Sequence, residues 1–522
     1  MRFTPPRYPA FGAPSAQDHA PVVIAGGGLV GLTAALDLAQ RGIRVVVLDD
    51  DDTVSTGSRA ICFAQRSLEI YGRLGLGARF LEKGITWNQG RVFHGEREAY
   101  SFNLLPEEGH EYPAFVNLQQ YYAEAWLVEA CEATGLVELR WRNAVAGIDN
   151  RADGARLTVG TPTGAYTLQA DWLIAADGAR SFIRRALGLS FEGQVFRDRF
   201  LIADVTMQAP FPTERWFWFD PPFHPGQSVL LHKQPDDVWR IDFQLGWDAD
   251  PALEQQPERV RARVAQMLGD VSFELEWISL YTFRCRRMER FRHGRTVFVG
   301  DAAHQVSPFG ARGGNGGVQD ADNLCWKLAA VLGGHAPDAL LDTYDAERVP
   351  AADENILNST RSTDFITPKN DAARAYRDAV LELAATHAFA RPVVNSGRLS
   401  RPYRGAAPPA PDAPLLHDGR PDWLLRHLGN GFRVVSRGVS PATTLPAVVL
   451  GGEFDDHAGL AAARLALGHG EAVLVRPDQH VAARFGARDG VAIAAAHRVA
   501  LGLPPHGVKP APGAELSGDA AA

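Results

Sequence analysis

An α/β chain is expected, with a parallel sheet at its start, an antiparallel sheet inserted within it and a second small α/β unit near its end. Three observations carry this. Short apolar runs ending in acids alternate with helical patterns before residue 190 and again after residue 285. Long aromatic-rich stretches fill 191–284, and the proline-rich stretch Pro402 to Pro414 precedes a last set of strand and helix patterns. Alternation of strands with helices favours a parallel sheet, and proline-rich segments read as linkers.

The opening unit is the most specific. Val22-Val23-Ile24-Ala25 reads as a strand buried on both faces, followed by Gly26-Gly27-Gly28-Leu29-Val30-Gly31, which fits G-x-G-x-x-G through Gly26, Gly28 and Gly31. A helical pattern (Leu32, Ala35, Leu36, Ala39) closes near Gly42, and a second run, Val45-Val46-Val47-Leu48, stops at Asp49. Gly26 permits the tight turn, Gly28 lets backbone approach a pyrophosphate, and Gly31 lets helix and strand pack closely. The helix N-terminus is expected to offer free N–H groups to phosphate, and Asp49, 18 residues beyond Gly31, to bind ribose hydroxyls. An acid there argues against a 2′-phosphorylated ribose in this site.

Length and composition bound the rest. The 522 residues exceed one ordinary core, and 46% apolar with 22% charged residues is a globular composition. A net charge of −8 argues against nucleic acid as the main partner. Cys62, Cys131, Cys285 and Cys325 are widely spaced without C-x-x-C, which excludes a zinc ribbon or dithiol centre; no metal site is expected. Met1 to Ala20 lacks a signal-peptide core, and no run of about 18 apolar residues exists, so a cytoplasmic, non-membrane protein is expected.

Along the chain, Thr56–Ala60 reads as a loop, and amphipathic helices follow through Ser67, Leu68, Ile70 and Leu74 and after Gln119 and Gln120. Val137–Trp141, Ala155–Val159 and Tyr166–Ala170 suggest an antiparallel meander leading to the buried run Leu173–Ala176 and then Asp177-Gly178. Strands are expected at Phe200–Val205, Glu214–Asp220, Ser228–His232, Val238–Leu245 and Phe273–Phe283. Thr296–Val299 restores the α/β pattern, ending in Gly300-Asp301, and Gly313-Gly314-Asn315 opens a helix carrying Val318, Ala321, Leu324 and Leu328. After the linker, Phe432–Val435, Ala447–Leu450 and Ala472–Val475 read as strands, and the tail beyond Pro504 as disordered.

Three separated motifs, Gly26–Gly31, Ala176-Asp177-Gly178-Ala179-Arg180-Ser181 and Gly300-Asp301-Ala302-Ala303-His304, together resemble the single-component FAD-dependent aromatic hydroxylases related to para-hydroxybenzoate hydroxylase. Asp49, Asp177 and Asp301 each end an apolar strand, where ligands of open α/β sheets bind, and three such acids suit an extended cofactor. The resemblance covers about residues 20–390. It implies a Rossmann-like FAD-binding domain (20–190 and 285–400), an inserted antiparallel substrate domain (191–284) and a C-terminal thioredoxin-like domain (415–503) of the phenol and 3-hydroxyphenylpropionate hydroxylase branch. The last, lacking C-x-x-C, would serve structure or a homodimer contact.

The resemblance also implies the site. Cofactor contacts would come from Gly26, Gly28, Gly31, Asp49, Arg59, Gln120, Asp177, Gly178, Gly300 and Asp301. The loop Pro308–Asn315 would hold the flavin ring, with Pro308 near its reacting edge and Gly313, Gly314 and Asn315 presenting backbone donors and a helix N-terminus to the N1/O2 edge. NADH or NADPH would reduce FAD, O2 would be captured as a C4a-hydroperoxide, and its distal oxygen would pass to a small aromatic substrate. No second G-x-G-x-x-G is present, so the nicotinamide would bind transiently between domains. Substrate contacts are expected from Trp216, Trp218, His232, Gln244 and Tyr281, and His304 is expected to order its loop. Trp216-Phe217-Trp218-Phe219 resembles the W-x-W-x-I-P motif of flavin-dependent halogenases but continues with Phe219-Asp220. A halogenase, an epoxidase and a non-catalytic flavin-binding protein stand as alternatives.

Overall fold

Strand Asp18–Ala25 lies at the centre of an eight-stranded sheet. In the computed structural model, which describes residues 3–14, 18–57, 59–394, 400–405 and 407–505, its parallel neighbours are Val45–Asp49 and Gly164–Ala175. Thr296–Phe298 extends the sheet beyond Gly164–Ala175, and Val137–Trp141 extends it beyond Val45–Asp49, both in parallel. The central strand is apolar on both faces because helices cover both; Val22, Val23 and Ile24 are fully buried. The pairing aligns Ala25 with Leu48 and Ala175, and Ala175 with Phe298. Gly26, Asp49, Asp177 and Gly300 therefore emerge along one edge.

The expected meander differs in two respects. Tyr166–Ala170 and Leu173–Ala175 are one continuous strand, Gly164–Ala175, and its antiparallel partners are Ala155–Thr161 and then Ala144–Asn150. Val137–Trp141 belongs instead to the parallel ladder. Sequence alternation does not distinguish these pairings, because partner choice is set by which edge is left open.

The second sheet is also eight-stranded, built on the long strands Glu192–Met207 and Phe273–Arg287. Val238–Leu245, Ser228–Lys233 and Arg215–Phe219 follow on the other side of Glu192–Met207. Gln89–His94 and Arg97–Asn103, well outside the interval 191–284, complete that edge. One face packs under the helix Pro257–Leu268, which lies between two of the expected strands, through Val260, Val264 and Leu268. The other face meets the parallel-sheet unit and the helices Asp342–Ile366 and Asp371–Thr386.

The C-terminal unit is a seven-stranded mixed sheet in which Arg433–Arg437 pairs parallel with Ala447–Leu450 and antiparallel with Glu471–Val475. The stretch before it is less free than a linker: Ala410 N–H donates to the carbonyl of Gln479 (2.8 Å), and Ala410 and Ala413 are buried in this unit's core. The unit docks through charged groups. Arg66 donates to the carbonyl of Asp478 (2.7 Å), Arg73 to Asn430 Oδ1 (2.6 Å), and Arg476 pairs with Glu347 (2.8 Å). All four cysteines are free and lie outside it. Among the described residues no helix is long and apolar enough to cross a membrane. The tail beyond Pro505 lies outside the described residues.

Candidate active site

The edge formed by the strand ends is built around glycines with little choice. Gly26 has φ 108°, and a Cβ there would lie 2.3 Å from the carbonyl oxygen of Ala176; at Gly31 it would lie 1.9 Å from that of Gly26. Gly28 differs, since its Cβ would meet only Glu124 Oε1 at 3.7 Å, so the space above it is open to a ligand. Asp49 closes the turn: its Oδ2 accepts from Gly27 N–H (2.6 Å) and its Oδ1 from Asp51 N–H (2.8 Å). Burial raises its carboxyl pKa to about 6.

The free helix N-terminus expected after Gly28 is partly occupied. Leu29 N–H donates to Glu124 Oε1 (3.0 Å), and Glu124 Oε2 accepts from Ser55 N–H (2.7 Å). Glu124 is 1% exposed, a buried carboxyl at a helix start, where acidic groups are favoured. The sequence reading missed it; the available signal was a glutamate among Ala125, Leu127 and Val128 on a helix whose apolar side is buried. Gln120 Nε2 also donates to Glu124 (2.7 Å), while Gln120 Oε1 accepts from Ala60 N–H (3.0 Å). Gln120 thus ties the loop after Asp49 to the same corner.

Asp177 Oδ2 accepts from Ile183 N–H (3.0 Å), whereas its Oδ1 is buried without a partner among the described residues. Gly178 (φ 70°) has nothing within 4 Å of a built Cβ. Gly300 (φ 57°) begins a single 3-10 turn, Gly300–Ala302, and its N–H donates to Asp320 Oδ2 (3.0 Å). Asp320 also faces His304 Nε2 (2.6 Å) and Arg348 Nε (2.7 Å), and against burial these neighbours hold its carboxyl below the usual range. His304 therefore orders the turn, as its place in the sequence suggested.

Asp301 and Tyr281 share a telling environment. Asp301 is exposed and Tyr281 is 41% exposed, yet surrounding protein raises both pKa values through desolvation. Both face solvent from a surface closely surrounded by protein, the cleft between the second sheet and the strand-end edge. Asp301 and Arg59 act electrostatically on Tyr281, so all three converge there.

The loop after Gln305 borders the same cleft. Pro308 is exposed, Phe309 packs edge-on to Phe200 and Phe283, and Gly310 (φ 96°) and Ala311 (φ 53°) turn the chain through the left-handed region. Helix Gly313–Leu332 follows. No hydrogen bond among the described residues takes up the N–H groups of Gly313, Gly314 and Asn315, as at any uncapped helix start. The Asn315 side chain is not free: it accepts from Ala64 N–H (2.9 Å) and donates to the carbonyls of Cys62 (2.8 Å) and Ala311 (2.6 Å). It pins the loop to strand Cys62–Ala64, and only its backbone remains for a ligand.

Alternation along Arg215–Phe219 separates the substrate candidates. Trp216 and Trp218 lie on the helix-covered face, against Phe93 (5.1 and 5.3 Å), and Trp216 Nε1 donates to Glu214 (2.8 Å). They form core, not cleft wall, because Arg215, Phe217 and Phe219 hold the other set of positions. His232, Gln244 and Tyr281 are on the cleft side. Gln244 Oε1 is engaged by Ser228 N–H (3.0 Å), and His232 is 5% exposed. Phe217, Phe219, Phe309, Phe102 and Ile366 line one apolar cavity, with Arg215 in its wall and Gly310 at its loop side. The one group of metal-capable side chains among the described residues, His417, Asp422 and His427, is remote in the C-terminal unit.

Comparison with known proteins decides what this edge and cleft belong to. The sequence model of a family described as FAD binding domain matches residues 19–359, spanning all three strand-end motifs and the loop. A 6-methylpretetramide 4-monooxygenase of Streptomyces rimosus is 33% identical over 95% of this chain and 89% of its own. The chain belongs to the FAD-binding monooxygenases. Rifampicin monooxygenase of Streptomyces venezuelae is 34% identical over 69% of this monooxygenase and 75% of that protein. The flavin-dependent monooxygenase PieE, solved with FAD and substrate, superposes with a TM-score of 0.79 at 25% identity, covering 94% of this chain and 100% of that one. FAD is thus the cofactor.

Proposed function

We propose that this monooxygenase hydroxylates a phenolic or related electron-rich aromatic compound, with O2 as oxidant and NADH or NADPH as reductant. The carrying observation is the phenylalanine-lined cavity bounded by Phe309 and Gly310, directly beside the helix start at Gly313. Its ring-lined walls suit a planar aromatic, and the names of the relatives, a 6-methylpretetramide 4-monooxygenase and 3-(3-hydroxy-phenyl)propionate/3-hydroxycinnamic acid hydroxylases, agree with such a substrate.

FAD when bound supplies the redox chemistry that reduces and activates O2. Gly26, Gly28 and Gly31 would admit its pyrophosphate, and Asp49 its adenosine ribose, with Arg59, Gln120, Asp177 and Gly178 bordering the nucleotide. Gly300 and Asp301 would meet the middle of the cofactor. Pro308 and the N–H groups of Gly313, Gly314 and Asn315 would meet the ring, where a helix N-terminus favours negative charge. Phe217, Phe219 and Phe309 orient the aromatic substrate and keep water from the reacting edge.

The test is a screen of phenols for accelerated NAD(P)H oxidation by the FAD-loaded protein. The expected outcome is a product carrying one oxygen atom from O2. NAD(P)H oxidation that yields only hydrogen peroxide with every aromatic tried would overturn the reading.

A further inference from the structure

Strand pairing lines up three basic side chains across the cleft face of the second sheet. Trp216 pairs with Leu231 and His232 with Arg240, so Arg215, His232 and Arg240 form one row. The next row holds Phe217, Leu230 and Asp242. The two arginines are treated differently. Arg240 is neutralised by Asp204 (2.9 and 3.3 Å) and donates to the carbonyl of Arg59 (2.9 Å). Arg215 has no ion pair among the described residues, and its Nε is buried without a hydrogen-bond partner.

Two neighbours share that condition. His232 Nδ1 and Asp242 Oδ1 are also buried and unpartnered. Buried polar atoms are rarely left unsatisfied in folded proteins. Burial, with both arginines nearby, holds the His232 pKa well below its usual value, so its ring adds no positive charge. Asp242, pushed up to about 6 by burial, makes no ion pair with Arg215 among the described residues. Arg215 also stands in the wall of the cavity lined by Phe217, Phe219 and Phe309. The cavity wall therefore holds Arg215, which has no ion pair among the described residues, and Arg91, which Glu98 and Glu214 neutralise, while His232 and Asp242 share the sheet face of Arg215.

We propose that Arg215 selects substrates by receiving an ionised oxygen of the aromatic compound, a carboxylate or a phenolate, with His232, in the same row of the sheet, as a further hydrogen-bond donor to that polar end. The inference rests on the aromatic-substrate reading above and names the class of substrate within it. A guanidinium presents a planar fork that matches a carboxylate, and in a pocket shielded from water such a charge-assisted contact is strong. A neutral ligand would leave the cation unpaired, which is a penalty against it.

The experiment uses FAD-loaded protein and three fluorescent probes: 3-hydroxy-2-naphthoate, its neutral amide, and 2-naphthol. Wild type is expected to bind the acid at least roughly tenfold more tightly than the amide if the anion is a carboxylate. If the anion is a phenolate, bound 2-naphthol shows the naphtholate absorption at a lower pH than free 2-naphthol. Arg215→Leu should abolish whichever preference wild type shows while FAD content is kept, and Arg215→Lys should retain part of it. Should the leucine variant lose FAD, Arg215→Gln carries the comparison. Naphthols that bind wild type and Arg215→Leu with the same acid-to-amide ratio and the same ionisation would overturn the proposal alone. Failure of every naphthol to bind wild type would overturn the aromatic-substrate reading and the proposal with it.

Discussion

Single residues in this protein divide sharply by what a side chain would meet. Gly26 is locked by a positive φ and by the Ala176 carbonyl, so Gly26→Ala is expected to destabilise the fold by at least about 1–2 kcal/mol. Gly314 is helical, without a positive φ, and a Cβ there meets Ala60 and Leu29 at 3.5 and 3.6 Å, ordinary contact distances. Gly314→Ala should leave the apoprotein as stable or firmer by up to ~1 kcal/mol, because alanine is the better helix former. Gly314→Val should then weaken FAD retention without unfolding the protein, since its bulk enters the space proposed for the ring. Apoprotein denaturation curves beside FAD titrations check both; an unchanged FAD affinity in Gly314→Val would place the flavin elsewhere. Asp242 carries a pH signature. Its folded pKa, about 6, lies above the ordinary aspartate value, so its contribution to stability is full at low pH and is lost as pH rises from about 4 through 6. Asp242→Asn removes that dependence, and the difference between variant and wild-type stability should move by on the order of 2 kcal/mol across this window, read in urea titrations of the apoprotein.

At the scale of elements, the turn Gly300–Ala302 is held by a carboxylate on another helix. Asp320 accepts from Gly300 N–H and faces His304 and Arg348, all buried. Removing it leaves an arginine unpaired in the core, so Asp320→Ala should cost about 3–5 kcal/mol. FAD retention should fall with it, because Gly300 and Asp301 lose their anchor; chemical denaturation and flavin release together measure the two effects. This anchor was invisible in the motif itself, which displays Asp301 and His304 but not their partner 16 residues after His304. Strand Arg215–Phe219 teaches the converse. Its aromatic alternation is plain and points to Trp216 and Trp218, yet Arg215, Phe217 and Phe219 hold the cleft face. Both faces of that strand are aromatic because both are covered, one by helix Pro257–Leu268 and one by the FAD-binding unit, so composition alone does not say which face is which.

Across the whole molecule, the C-terminal unit is joined to the FAD-binding unit by a buried charged seam. Arg66 faces Asp322 (3.3 Å) and the Asp478 carbonyl, and Arg476 bridges Asp478 and Glu347. Lys327, 3.3 Å from Glu347, is pushed down to about 8 by burial, while Glu347 is lowered to about 2 by its cationic partners despite burial. Truncation after about Ser400 strips Arg476 and Asp478 from this seam and exposes the rest. Thermal melts of the truncate should show a marked loss of stability, since broken buried pairs cost several kcal/mol. The unit contributes no cysteine, and the folded truncate is still expected to take up FAD and be reduced by NAD(P)H. A folded, flavin-loaded truncate that cannot be reduced would mean that this unit reaches the active site.

From the sequence alone followed the order of the strand-end motifs, their glycines and acids, and hence an extended nucleotide at one edge of a parallel sheet. Those features are local: a turn that only glycine can make and an acid directly after an apolar run need no distant partner to be recognised. Tertiary structure alone decided that Glu124 caps the first helix from 95 residues away, that Asn315 spends its side chain on strand Cys62–Ala64, and that Arg215 rather than Trp216 faces the cleft. Each depends on which surfaces meet once the two sheets pack, and chain order does not encode that pairing in any short stretch.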